Sequence, residues 1–300
     1  MIVAALLAFA AAAVFAMGIS LQHCAASAVP QPGSSAPGLL FMLARQPSWW
    51  AGVGFSGAAF CLHAAALHQG ALSLVQPVVV SGIVFAVFIR SALEHRLPGR
   101  KEVGWSLCIW AGLTVFITSL PGGAAGHVAD DGSAQTFVAG GVVVTAVAVM
   151  WSRRTGSAAR RGLLLGGAAG VLFGLIAGLV KMLIAQAQTG LSTVLGHWPL
   201  WTILVAGAAA MLFNQRAYQS ARISITMPIL NIVDVLVALG FGSTVFGERL
   251  FASPPQLFAA TVGLVVMGVG VWKLSRQQEL ATRTAEEDGR VLATTSSGRE

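Results

Sequence analysis

Apolar residues collect into nine runs along this chain, at 2–22, 49–67, 72–91, 103–120, 136–151, 162–188, 198–214, 223–246 and 256–274. Short stretches holding polar residues, glycine or proline part them. Each run is about as long as the roughly twenty residues with which an α-helix crosses a bilayer, so the pattern predicts nine spanning helices. The sixth run has the strongest internal order. Gly162, Gly166, Gly170, Gly174 and Gly178 recur every fourth residue and form one slowly winding stripe, where a neighbouring backbone can come close in lipid. Gly166, Gly170, Gly174 and Gly178 are therefore candidate helix-packing positions. The first run has the same layout in Ala4, Ala8, Ala12, Ala16 and Ser20, with Phe15 matching Phe173 and His23 matching Lys181, all at an offset of 158 residues.

The later runs recur in the same order. Ser73-Leu74-Val75-Gln76-Pro77 answers to Ser224-Ile225-Thr226-Met227-Pro228, and Ala66-Leu67-His68 to Ala217-Tyr218-Gln219. Glu94-His95-Arg96-Leu97 answers to Gly247-Glu248-Arg249-Leu250. Four spans, a fifth crossing and four more spans put the second set upside down relative to the first. The expected fold is an all-α integral membrane protein with about nine transmembrane helices in an inverted repeat, spans 1–4 against spans 6–9. Residues 1–120 form the first four-helix repeat, 121–161 the connecting loops and fifth helix, and 162–274 the second repeat. Residues 275–300 lack apolar periodicity and are expected to be a disordered cytoplasmic tail.

Composition agrees with that class and adds an orientation. Hydrophobic residues make up 56% of the chain and charged residues 10%, against about 25% charged in an ordinary soluble domain. Sixteen lysines and arginines fall on one side of the nine spans and only Arg249 on the other, with Lys181 inside a span. By the positive-inside rule the N-terminus is expected outside and the C-terminus in the cytoplasm, and the Ala- and Gly-rich composition suggests the plasma (inner) membrane of a bacterial cell. The net charge of +7 is thus spent on topology, and nucleic-acid binding is not expected. Ala26-Ser27-Ala28 looks like a cleavage site, but no Lys or Arg precedes the first run, so that run is expected to be retained. Cys24, Cys61 and Cys108 have no metal-ligand spacing and are expected to be small buried hydrophobes.

Polar residues within the spans are the candidates for a substrate or ion pathway. Asp234 is the sole carboxylate inside a span, near the middle of the eighth, and Asn231 lies about one turn earlier on the same face. Two roles are open to Asp234: a pathway or proton-relay group, or a clamp paired with Lys181 or Asn231. Lys181 lines the pathway or snorkels to the headgroups. His63 and Asn214 hold equivalent places in spans 2 and 7, with Leu67 and Tyr218 one turn beyond. Gln76 and Thr226 stand beside prolines that each free a backbone carbonyl one turn earlier. Glu94 and Glu248, at span ends, fit interface anchors or gate salt bridges. Asp130 and Asp131 fit a solvated loop or a cation-concentrating one.

With these residues in view the chain resembles the drug/metabolite transporter superfamily in its EamA-like form. The small-residue first span, the proline-bearing span ending at Gly247-Glu248-Arg249-Leu250, the glycine-rich span and the repetition of the set carry that likeness. Gly18-Ile19-Ser20-Leu21-Gln22, Trp49-Trp50-Ala51-Gly52 and Leu74-Val75-Gln76-Pro77 are most similar to the NIPA-like branch, which implies magnesium transport. Where that branch has an acidic residue in the second span, this chain has Phe60-Cys61-Leu62-His63.

No GxSxG, HExxH, Walker A or Rossmann pattern is found, so neither an enzyme nor ATP drive is expected, and no cofactor. The expected function is a secondary transporter that moves a small organic metabolite or drug by alternating access, with membrane lipid and the substrate as partners and a homodimer as a further possibility. A magnesium or other divalent-cation transporter and a non-transporting membrane scaffold are the alternatives. The residue pattern does not define a metal site.

Overall fold

The computed structural model describes residues 1–27, 45–93, 95–121, 130–187, 190–221, 223–251 and 253–297. Among these there are helices and no strands. In chain order they are α1 (Ile2–Ser27), α2 (Pro47–Gln69), α3 (Leu72–Val80), α4 (Gly82–Leu93), α5 (Arg100–Ser119) and α6 (Asp131–Arg154), followed by α7 (Ala158–Ala187), α8 (Leu191–Gly196), α9 (Trp198–Ser220), α10 (Ile223–Val245) and α11 (Pro254–Ser297). Taking α3 and α4 as one, eight helices among the described residues are long and apolar enough to cross a membrane. The predicted seventh span is α9. Its 23 residues equal those of α10, but Trp198, Pro199, Trp201 and Thr202 at one end and Asn214, Gln215 and Arg216 at the other dilute its apolar stretch.

Local chemistry sets the helix ends. Pro47 opens α2, where a missing N–H costs no helical bond. The Asp130 carboxylate accepts the Ser133 N–H at 2.9 Å and caps α6, which gives one residue of the Asp130–Asp131 pair a structural role. Glu102 accepts the Gly99 N–H at 2.7 Å and the Arg96 guanidinium at 3.1 Å, fixing the start of α5. Pro77 lies inside α3 and the helix breaks at Ser81, one turn on, so the predicted third span is two helices in line.

The core is built around α7, half of whose residues are buried. It packs on α9, α10 and α6, while α1 packs on α2 and α5 crosses α11. The small-residue stripes govern these approaches. Ala4, Ala8, Ala12 and Ala16 are all but inaccessible along α1. At the α5–α11 crossing, a Cβ on Gly112 would stand 2.6 Å from the Gly263 carbonyl oxygen, and one on Gly263 would stand 2.7 Å from that of Gly112. Only glycine at both places lets the two backbones touch.

Two expectations are corrected. Residues from 275 on do not begin a disordered tail: α11 continues to Ser297, with Ser275 buried and Gln277, Gln278 and Glu279 half-buried. Gln, Glu, Ala and Arg are strong helix formers, and the Ser224 hydroxyl on α10 bonds Glu279 in this stretch. Cys24 and Cys61 lie on the outside of the bundle and Cys108 is half-buried, with Sγ 3.7 Å from the Val266 carbonyl oxygen. An apolar membrane surface accepts a thiol as readily as a core does, so hydrophobicity alone did not distinguish the two.

Candidate functional site: two polar clusters between α3, α7 and α10

The α7 glycines bring α10 close. A Cβ on Gly170 would stand 2.5 Å from the Leu230 carbonyl oxygen, and one on Gly174 would stand 2.7 Å from that of Asp234. Gly166 faces Thr226 and Ile229, and Gly178 lies under the Phe241 ring. The stripe therefore presses the backbone around Asp234 against α7 and aims its side chain at α3.

There the carboxylate meets Gln76. The Gln76 amide nitrogen donates to both Asp234 oxygens, at 2.8 and 2.9 Å, and both residues are buried. The other end of the same amide, Gln76 Oε1, is buried without a hydrogen-bond partner among the described residues. A carboxylate in lipid-depth surroundings satisfied by one neutral amide is costly, which marks this pair as the part of the core whose polarity packing alone does not explain.

The clamp between Lys181 and Asp234 does not form. Lys181 Nζ lies 2.6 Å from Glu248 Oε1 and 4.6 Å from the centroid of the Phe246 ring. The pair is nearly dry, with side chains 11% and 2% exposed, so the lysine does not snorkel. Glu248 also accepts the Leu72 and Ser73 backbone N–H groups at 2.7 and 2.9 Å. It thus neutralises Lys181 and caps the first turn of α3 at once, where the helix dipole favours a negative charge. A turn at Gly247, with φ 62°, sends the chain back so that Glu248 reaches inward, and its own N–H returns to the Gly242 carbonyl at 3.0 Å.

The remaining predicted residues scatter. Asn231 does not bond Asp234; its amide donates to the Met227 carbonyl one turn earlier at 2.9 Å. Thr226 is fully buried against Gly162 and Gly166. Asn214 bonds the Tyr218 hydroxyl along α9 and leaves its own Oδ1 buried and unpartnered. His63 on α2 keeps a buried, unpartnered Nδ1. His63 and Asn214 are not brought together, since α2 packs on α1 and α9 on α7. Among the described residues no three His, Cys, Asp or Glu side chains converge as a metal site would require. Glu94 lies outside the described residues.

Sequence reasoning left Glu248 out of the pathway. The signal was present, since an acid one residue after a glycine at a helix end is poised to turn inward, but its target is the start of a helix 176 residues earlier.

A bundle of apolar helices with this polar interior is that of a multi-pass membrane protein. An uncharacterized protein of Corynebacterium glutamicum is 25% identical to the chain over 280 residues, covering 92% of this chain and 95% of that one. The likeness therefore runs through the whole bundle. No family model matches the chain, and no solved structure matches it.

Proposed function

We propose that this protein is a secondary transporter of the drug/metabolite type, moving a small organic molecule by alternating access between two inverted repeats. The observation that carries this reading is the buried Gln76–Asp234 pair, an unneutralised carboxylate beside an unpartnered amide oxygen at the meeting of two proline-bearing helices. Such a pair accepts hydrogen bonds from a substrate N–H or O–H, or holds a proton that substrate displaces.

The repeat reading is supported by contacts that occur twice. A Cβ on Gly70 would meet Ala4, and one on Gly162 would meet Ala221; Gly82 faces Ala12, and Gly170 faces Val233. In both cases the α1 residue maps to α7 at an offset of 158 and its partner maps at 151. Gly112 and Gly263, which touch each other, are also 151 apart. Two halves of one fold packed this way can exchange conformations about a site between them.

The test is flux into liposomes holding a pH-sensitive and a magnesium-sensitive dye, comparing the protein with Asp234→Asn. Proton movement on adding candidate amines or metabolites, lost in the variant, is the expected result. A magnesium flux lost in the variant would favour the divalent-cation alternative instead. No response under any gradient would favour a scaffold.

A further inference from the structure

We propose that Glu248 and Glu279 are paired latches at opposite ends of the bundle, each closing it by holding the first turn of a proline-bearing helix. The inference deepens the transport reading and rests on it.

Ser73 and Ser224 stand four residues before Pro77 and Pro228. A helical proline deprives the carbonyl four residues back of its N–H partner, so Ser73 and Ser224 each belong to a first turn loosely tied to its own helix. Both are held by a distant carboxylate. Glu248 accepts the Leu72 and Ser73 N–H groups while paired to Lys181 on α7. Glu279, on the part of α11 past residue 275, accepts the Ser224 hydroxyl.

The two holds are at opposite ends of α10. The start of α3 lies against Gly242, where an added Cβ would stand 3.6 Å from the Leu72 Cβ. Ser224 is eighteen residues earlier on α10, a separation of about 27 Å at 1.5 Å per residue. That is close to the roughly 30 Å hydrocarbon thickness. Asp234 falls between them, about 12 Å from Gly242 and about 15 Å from Ser224 by the same rise. A barrier at each end with the buried carboxylate midway is what alternating access requires: one latch opens while the other stays shut.

The latches come from different parts of the chain. His95, with φ 52°, occupies the left-handed turn after α4 as Gly247 does after α10, but the next residue is Arg96 rather than a carboxylate. Arg96 cannot accept an N–H and pairs with Glu102 instead. Among the described residues that turn of the first repeat supplies no carboxylate to a distant helix start, and α11 provides Glu279 at the other end.

The test needs a reporter near Asp234, not a known substrate. With Cys24, Cys61 and Cys108 changed to alanine and Asn231→Cys introduced, an impermeant maleimide is applied from each face of oriented proteoliposomes. Glu248→Gln is expected to raise labelling roughly tenfold from the Leu72 face alone, and Glu279→Gln from the Ser224 face alone, as a shift of a two-state equilibrium does. Equal increases from both faces would mark the two glutamates as general packing groups and overturn the proposal, as would no change in either variant. Should Glu248→Gln fail to assemble, Ser224→Ala decides alone, supporting the latch by a rise from its own face and sinking it by none. One-sided opening in a protein that moves no solute would sink the transport reading separately.

Discussion

The two halves of the bundle share backbone contacts but not chemistry. Ala4, Ala12 and Gly82 in the first recur as Gly162, Gly170 and Val233 in the second, so small residues fall at the close approaches on both sides. The charges inside are almost all in the second half: Lys181, Asp234 and Glu248 come from α7, from α10 and from the turn after α10. The first half answers with neutral or backbone groups, the Gln76 amide and the N–H groups of Leu72 and Ser73. Packing constrains both halves alike because each must bury small-residue helix surfaces. A charge need be present in only one half, because its partner can come from the other.

Charge removal should break this comparison most sharply. Glu248→Ala leaves Lys181 buried without its anion and two N–H groups uncapped, and is expected to cost about 3–5 kcal/mol. Arg96→Ala, at the corresponding turn of the first half, removes an ion pair whose guanidinium side is 39% exposed and should cost about 1 kcal/mol or less. Thermal unfolding in detergent measures both, and equal losses would mean that the halves are not so divided.

A smaller effect separates the two faces of α7. Gly174→Ala drives a methyl into the Asp234 carbonyl and Val237, at about 1–3 kcal/mol. Gly167→Ala meets nothing within 4 Å and is expected to be neutral or stabilising by about 0.5–1 kcal/mol, as alanine replaces glycine in a helix. The same unfolding assay distinguishes them.

The smallest expected difference sharpens the likeness of the halves. Gly112→Ala and Gly263→Ala meet mirrored obstacles, Gly263 and Met267 for the first and Gly112 and Phe116 for the second. Their costs should agree within about 0.5 kcal/mol, the ordinary scatter for independent sites. A large inequality would argue that the crossing is not a symmetric one.

Helix positions were legible in the sequence because a membrane span announces itself by length and apolarity, and the glycine stripe because its spacing is the helical period. Gln76 and Asp234 were both visible as polar residues inside apolar runs. Their pairing was not, since nothing local says that position 76 meets position 234. Lys181 was matched with the wrong carboxylate for that reason: Asp234 lay deeper in a span, whereas Glu248 looked like an interface residue until the Gly247 turn brought it inward. Asn231 was drawn to Asp234 by helical spacing, but its amide bonds the Met227 carbonyl one turn back on its own helix. Residues past 274 lack apolar periodicity, and the contact of Glu279 with Ser224, 55 residues away, leaves no pattern among neighbouring residues.

The sequence alone determined that this chain is a set of apolar helices, roughly where most of them lie, and which faces hold small residues, because hydrophobicity and backbone period are properties of neighbouring residues. Only the tertiary structure decided which charge meets which partner. A buried ion is satisfied by whichever polar group packing brings within about 3 Å, and here those groups lie 67 to 176 residues away.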